Sequence, residues 1–242
     1  MNKLRILVAD DHEIVRRGLV ALIKSRPDWE VCTEVDNGRL AVDKTKELKP
    51  DIAVLDIGMP VLNGLEATRQ ILRDNPAVRV LILTISDSEQ LMREVLDAGA
   101  RGFLLKSDAA RDLITAVEAL QNNKTFFTAR VAQMVLSGYL GRTNAPSRQE
   151  PTLPSLTSRE REVVQLLAEG KSTKEVAVQL NLSVKTAETH RSNIMRKLGL
   201  HSVSELVLYA VRNNIIQVAA GVPSSAAAAE VPVAAAKSAL SA

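Results

Sequence analysis

The sequence predicts two domains of different class. The first is α/β, a doubly wound, parallel five-stranded sheet. The second is an all-α four-helix domain that holds a helix-turn-helix. Three observations carry this reading. Up to residue 122, five short apolar runs alternate strictly with five amphipathic segments, the order that a parallel sheet with helices on both faces requires. Residues 141–155, GRTNAPSRQEPTLPS, hold three prolines and no apolar period, which marks a linker. From residue 157 to 212, four helical patterns follow with no strand between them.

The five apolar runs are Leu4–Ala9, 30–35, 52–55, 80–83 and Gly102–Leu105. They are nearly continuous, as strands buried on both faces are. The helical segments between and after them are Glu13–Lys24, 39–48, 64–73, 89–98 and 108–122. The first domain is therefore expected over 1–122. A connecting region over 123–156 includes one possible further helix at 129–139. In the second domain, 157–217, helix one opens on the capping box Thr157-Ser158-Arg159-Glu160 and stops near Gly170, following helix start and stop signals. Helix two is expected over 173–180. Helix three, Val184–Leu198, starts after Ser183 and stops at Gly199, and helix four, Val203–Arg212, is capped by Ser202. The tail, 218–242, is alanine-rich and broken by Pro223 and Pro232, so disorder is expected.

Composition is that of an ordinary globular protein: of 242 residues, 46% are apolar and 24% charged, with a net charge of only +3. Cys32 is the single cysteine, so no intramolecular disulfide forms, and a reducing compartment is expected. The N-terminal apolar run is cut by Asp10, Asp11 and Glu13, which is not a signal peptide. No apolar stretch reaches the ~18 residues of a membrane span. A cytoplasmic protein without membrane association is expected. The histidines at 12, 190 and 201 are too scattered for a zinc site.

Function is expected where the strands end. In an open parallel sheet, ligands sit at the carboxyl ends of the strands. Strand one ends in Asp10-Asp11, strand three in Asp56, strand four in Thr84 and strand five in Leu105-Lys106. Three acids, a hydroxyl and a lysine thus meet at one edge. Clustered carboxylates repel unless a cation joins them. Oxygen ligands of this kind suit Mg²⁺. A carboxylate can attack phosphorus and become an aspartyl-phosphate, with Mg²⁺ and Lys106 neutralising the charge that develops.

The pieces VADDH, LDIGMPVLNGLEA, LTIS and GFLLKSD resemble the receiver domain of bacterial response regulators over the first ~125 residues. The resemblance implies a flavodoxin-like strand order 2-1-3-4-5. It implies that Asp56 accepts a phosphoryl group from a sensor histidine kinase. Asp11 would bind Mg²⁺ directly, Asp10 through water, and the Gly58 carbonyl would add a ligand. Thr84 and Lys106 would contact the phosphate, and Phe103 would turn inward as Thr84 moves. Many members carry a side chain where this chain has Gly58, a position that influences phosphate lifetime.

In the second domain, the short turn Asn181-Leu182-Ser183 joins helices two and three as in a helix-turn-helix. Val184, Ala187, Ile194 and Leu198 are expected to face the core. Lys185, Thr186, Glu188, Thr189, Arg191, Ser192, Arg196 and Lys197 are expected to face out. From Ser183 to Leu198 the net charge is +3, a basic face suited to phosphates. The run LTSREREVVQLLAEGKSTKEVAVQLNLSVKTAETHRSNIMRKLGL resembles the LuxR-type output domain, and the whole chain is similar to the NarL/FixJ group. The resemblance implies phosphate contacts from Lys171, Thr173 and Lys185. It places Glu188, Thr189 and Ser192 in the groove with Arg191 nearby. It also implies dimerisation on inverted DNA half-sites through helix four, for which Val203, Leu206, Val207 and Ala210 are the expected residues. Phosphorylation would free an output domain whose recognition or dimer helix the receiver covers.

Two other functions are weighed. One is a DNA-binding regulator that ignores phosphate and answers to a partner protein. The other is a phosphatase of the haloacid dehalogenase type, an enzyme, which needs an Asp-x-Asp motif that Asp10-Asp11-His12 lacks.

Overall fold

The computed structural model describes residues 3–127 and 156–217. The possible helix at 129–139, the linker stretch 141–155 and the tail 218–242 lie outside the described residues. In chain order the first domain runs β1 (Leu4–Ala9), α1 (Glu13–Lys24), β2 (Trp29–Val35), α2 (Gly38–Leu48), β3 (Ile52–Asp56), α3 (Gly64–Asp74), β4 (Arg79–Thr84), α4 (Glu89–Asp97), β5 (Gly102–Leu105), a 3-10 turn at Lys106–Asp108, and α5 (Ala109–Gln121). The sheet is wholly parallel in the order β2-β1-β3-β4-β5, as expected.

One apolar layer joins the sheet to α2, α3 and α4 through Leu55, Ile71, Ile82, Val95 and Phe103. The other joins it to α1 and α5 through Ile6, Val8, Ile23, Leu83 and Leu113. Every residue of β3 is buried. Each fully buried Ile, Val or Leu there contributes about 1.5–3 kcal/mol, so the burial that holds β3 central also carries Asp56 into the interior. Asn37, Asn63 and Ser88 cap α2, α3 and α4 with their side chains, satisfying helix N–H groups that would otherwise lack partners. The hydrogen-bonded domain runs past residue 122, where a connecting region was expected to begin. Phe126 donates its N–H to Arg101 at 3.0 Å and accepts from Phe103 at 2.9 Å.

The second domain is α6 (Ser158–Ala168), α7 (Thr173–Gln179), α8 (Val184–Leu198) and α9 (Val203–Arg212). Capping boxes at Thr157/Glu160 and Ser172/Glu175 start α6 and α7. Gly199, at φ 65, ends α8, a left-handed position that glycine fills without strain. The core gathers Val163, Leu166, Val176, Ile194, Leu206 and Ala210, and Leu156 belongs to it.

The two domains touch. Their contact is mainly polar, with Val61 packed on the output core, and is centred on α6 and the β3–α3 loop. Gln165 donates to the Met59 carbonyl at 3.0 Å and accepts from the Asn63 N–H at 2.8 Å. Glu169 accepts from the Val61 N–H at 3.1 Å. Asn63 Nδ2 donates to the Ile215 carbonyl at 3.0 Å. Glu162 accepts from Arg39 and Gln70 of the first domain, each at 2.7 Å. Among the described residues no helix is long and apolar enough to cross a membrane.

Gly64 fixes how α3 leaves β3. A Cβ there would lie 2.0 Å from the Asp56 carbonyl oxygen. Gly64→Ala is expected to cost about 2 kcal/mol or more by overpacking, read as a lower midpoint in urea unfolding.

Candidate functional site

Because the strands are parallel, their carboxyl ends share one edge. Asp10 follows β1, Asp56 ends β3, Thr84 ends β4 and Lys106 follows β5. The expected cluster forms. Lys106 reaches back over the edge and places its ammonium 2.9 Å from Asp10 Oδ2 and 2.9 Å from Asp56 Oδ2. Asp10, Asp11, His12 and Asp56 each offer a ligand atom within 4.8 Å of the others. His12 was not expected here. Its ring nitrogen lies 2.7 Å from Asp11 Oδ1, and its backbone N–H donates to Asp10 Oδ1 at 2.9 Å.

Charge in this cluster is unbalanced. Asp10 and Asp56 are both buried, and one ammonium serves both. Burial pushes the Asp56 carboxyl up to about 6; Lys106 opposes the shift and Asp10 adds to it. Burial alone would lower the Lys106 ammonium, but Asp56 and Asp10 outweigh it, so its pKa is raised. Asp10 Oδ2 has Lys106 nearby as an ion pair, yet no donor is aligned on it as a hydrogen bond. A buried, incompletely satisfied carboxylate oxygen among acids fits a hard cation with oxygen ligands.

Thr84 is fully buried, and its hydroxyl accepts from the Ser86 N–H at 3.1 Å. Phe103 is already inside, packed with the α2–α4 layer. Its ring is buried without a phosphate, because burial removes a large apolar surface from water. Gly58 adjoins Asp56, and the space a side chain would take there is filled by Gln217, whose Oε1 lies 2.7 Å from the site of a Cβ.

The basic helix α8 keeps its outward face. Lys185, Thr186, Glu188, Thr189, Arg191, Ser192 and Arg196 are exposed, and Lys171 and Thr173 are partly so. Arg191 contacts the Thr173 hydroxyl at 3.4 Å, and Thr189 hydrogen-bonds the Lys185 carbonyl. Three expectations are corrected. Lys197 does not project freely; it pairs with Glu160 at 2.7 Å and ties α8 to the capping box of α6. Val184 is 41% exposed, because it lies in the first turn of α8, before Ala187, the first of its residues to enter the core. Leu206 and Ala210 cannot serve a dimer contact as they stand. One turn apart on α9, they point into the core beside α6. Val203 stays exposed and Val207 is half-buried, while Leu208, not anticipated, is 54% exposed. Among the described residues, the receiver leaves the outward side chains of α8 exposed. It meets the end of α9, where Asn214 lies 3.4 Å from Glu94.

Buried polar side chains concentrate in two places. Ten are buried among the described residues. Asp10, Asp56 and Thr84 belong to the acidic edge. Asn63, Glu66, Gln70, Glu162 and Gln165 lie between the domains. The remaining two, Thr45 and Thr68, bond carbonyls of their own helices. The interdomain set was missed because its members read as solvated helix faces.

Comparison with known proteins matches both halves. The response regulator receiver domain matches residues 6–118, and the bacterial regulatory proteins of the luxR family match 154–210. Transcriptional regulatory protein LiaR of Bacillus subtilis is 36% identical over 215 residues, covering 88% of this chain and 99% of LiaR. The chain belongs to the NarL/LuxR family of response regulators. DegU of Brevibacillus brevis is 32% identical over 228 residues, covering 90% of this regulator and 97% of DegU. Among solved structures, the RcsB–DNA complex is similar with a TM-score of 0.53 and 26% identity, over 88% of this regulator and 99% of that chain. This response regulator therefore joins a receiver to a LuxR-type DNA-binding domain.

The raised Asp56 pKa has a stability consequence. A buried acid whose folded pKa exceeds its unfolded one binds its proton more tightly when folded, so its ionised form costs stability above the folded pKa. In metal-free buffer, Asp56→Asn is expected to stabilise the protein at pH 7 by an amount on the order of 1–3 kcal/mol. The gain should shrink as pH falls through about 6 toward 3.8. Urea melts of both proteins at pH 5 and 7.5 check it.

Proposed function

We propose that this response regulator is phosphorylated on Asp56 by a sensor histidine kinase in the cytoplasm, and that the modified receiver releases its output domain to pair on inverted DNA half-sites. The observation that carries the proposal is the shared ammonium. Lys106 is held 2.9 Å from both Asp10 and Asp56, a geometry suited to receiving the negative oxygens of a phosphoryl group.

The Asp56 carboxylate oxygen attacks phosphorus, forming an O–P bond as the donor's N–P bond breaks and its electron pair returns to the imidazole. Asp10, Asp11 and Asp56, with the Gly58 carbonyl, would hold Mg²⁺. Bound there, the ion would offset the charge on the transferring group. Lys106 then exchanges a carboxylate partner for a phosphoryl oxygen, and the buried Thr84 hydroxyl turns from Ser86 to a second one. On the DNA side, Lys171, Thr173 and Lys185 hold phosphates. Glu188, Thr189, Arg191 and Ser192 face the groove, where Glu can accept from cytosine and Thr can touch a thymine methyl. Val203, Val207 and Leu208 are the part of α9 left for pairing. DNA-bound RcsB, including two dimers bound to two parallel DNAs, supports this arrangement.

Incubation with acetyl phosphate and Mg²⁺ is expected to add one phosphoryl mass of ~80 Da to wild type and none to Asp56→Asn. Equal masses, with both proteins folded, would remove the phosphorylation step and leave a regulator under other control. For DNA, Lys185→Ala should weaken binding across sequences and lower the salt slope by about one, whereas Glu188→Ala should relax base preference at one position. Titrations at several salt concentrations separate the two.

A further inference from the structure

The acidic edge carries one donor that Mg²⁺ does not need. His12 follows Asp10 and Asp11, and a ring nitrogen of His12 joins the carboxylate oxygens in one group, all within 4.8 Å of one another. His12 Nδ1 lies 2.7 Å from Asp11 Oδ1 and 3.6 Å from Asp10 Oδ1. Lys106 takes the other oxygens, with its ammonium 2.9 Å from Oδ2 of Asp10 and 2.9 Å from Oδ2 of Asp56. The two oxygens of Asp10 are thus divided between a lysine and a histidine. Asp10 Oδ2 is buried with no aligned donor, which independently marks the pocket as incomplete without a cation.

Two features set this histidine apart from a solvated helix start. The first is what its side chain does not do. His12 is the N-cap of α1, and its ring makes no cap hydrogen bond. Asn37, Asn63 and Ser88 cap α2, α3 and α4, the residue types that such positions favour. At residue 12 the ring turns back to the acids instead. The backbone holds it there. The His12 N–H donates to Asp10 Oδ1 at 2.9 Å, the His12 carbonyl accepts from the Arg16 N–H at 2.9 Å, and the Arg16 guanidinium donates to the Asp10 carbonyl at 2.7 Å. The second feature is spacing. Donors bound to one Zn²⁺ ion at ~2.0–2.2 Å stand roughly 3–3.5 Å from one another. The separations of 2.7 and 3.6 Å bracket that range, so small side-chain shifts would seat an ion between the ring and the two carboxylates.

We propose that His12 Nδ1 is a cation ligand, and that it gives the acidic pocket a site for a first-row transition cation of the Zn²⁺ class, held by His12, Asp10, Asp11 and Asp56. This rests on the reading that these acids hold a divalent cation. Imidazole suits Zn²⁺ and its neighbours in the series, whereas Mg²⁺ takes oxygen. His12 thereby sets which cation the pocket prefers. The three histidines do not form a zinc site among themselves, and this site needs only one of them, because three carboxylates complete four donors. Four protein donors leave Zn²⁺ no open position, while Mg²⁺ keeps several waters. The two ions therefore compete for the same oxygens and leave the pocket in different states.

Calorimetric titration of the metal-stripped full-length protein, with Zn²⁺ and separately with Mg²⁺, tests this in wild type, His12→Ala, Asp11→Asn and a His190→Ala/His201→Ala double variant. The His12 side chain is 66% exposed, so its truncation leaves the fold intact. His12→Ala is expected to weaken Zn²⁺ binding about tenfold or more and Mg²⁺ binding by less than about twofold. The visible spectrum of the Co²⁺-bound protein should change with it, because that spectrum follows the donor set and geometry. Asp11→Asn should weaken both ions, and the double variant should match wild type. An equal loss of both ions in His12→Ala would make His12 a positioning residue for Asp11 and overturn the nitrogen ligand, while leaving the Mg²⁺ site. Zn²⁺ binding untouched by His12→Ala, or lost in the double variant, would put the ion elsewhere and overturn it as well. Binding of neither ion by wild type would overturn the cation reading of the acidic edge, and this inference with it.

Discussion

Lys106 stands 2.9 Å from Asp10 and 2.9 Å from Asp56, and one ammonium cannot neutralise two carboxylates held out of water. The rest of the receiver is arranged around that imbalance. β3 is buried at every residue, so Asp56 cannot retreat to solvent. Gly64 lets α3 begin against the Asp56 carbonyl, which fixes the strand end. Burial then keeps the carboxyl near pKa 6 despite its lysine. A site of this kind is less stable than an apolar edge would be, and an incoming cation relieves it. The destabilisation is local, and the apolar layers on both faces of the sheet offset it.

The second concentration of buried polarity joins the domains. Asn63, Glu66 and Gln70 lie along one side of α3 and its cap, at spacings of three and four. Glu162, Gln165 and Glu169 repeat that spacing on α6 and its C-cap, and the two rows meet. An interface of hydrogen bonds and ion pairs is specific, because a misplaced partner leaves a buried group unsatisfied. It is also weak, because water competes for every group once the surfaces separate.

Much of the acidic edge was legible in the sequence. Strand ends can be read from apolar runs, and a parallel sheet sends all of them to one side, so Asp10, Asp56, Thr84 and Lys106 could be grouped without coordinates. The recognition helix was legible for a similar reason. Ser183 and Gly199 mark its ends, and its basic residues follow the helical period. Reading failed where a face has two possible neighbours. Leu206 and Ala210 were assigned to a partner molecule, but their own α6 covers them. Lys197 was assigned to DNA, but Glu160 is closer. Periodicity tells which side chains share a face and is silent on what that face meets.

By itself, then, the sequence determined the strand and helix order, the acidic edge and the basic helix, because these follow from local period, capping and the parallel rule. Only the tertiary structure decided that the polar rows on α3 and α6 are an interface, that Val61 adopts a left-handed turn against the output core, and that Gln217 fills the space over Gly58. Those features depend on contacts between residues 92 or more positions apart. A polar stripe on a helix has the same pattern whether water or another domain satisfies it.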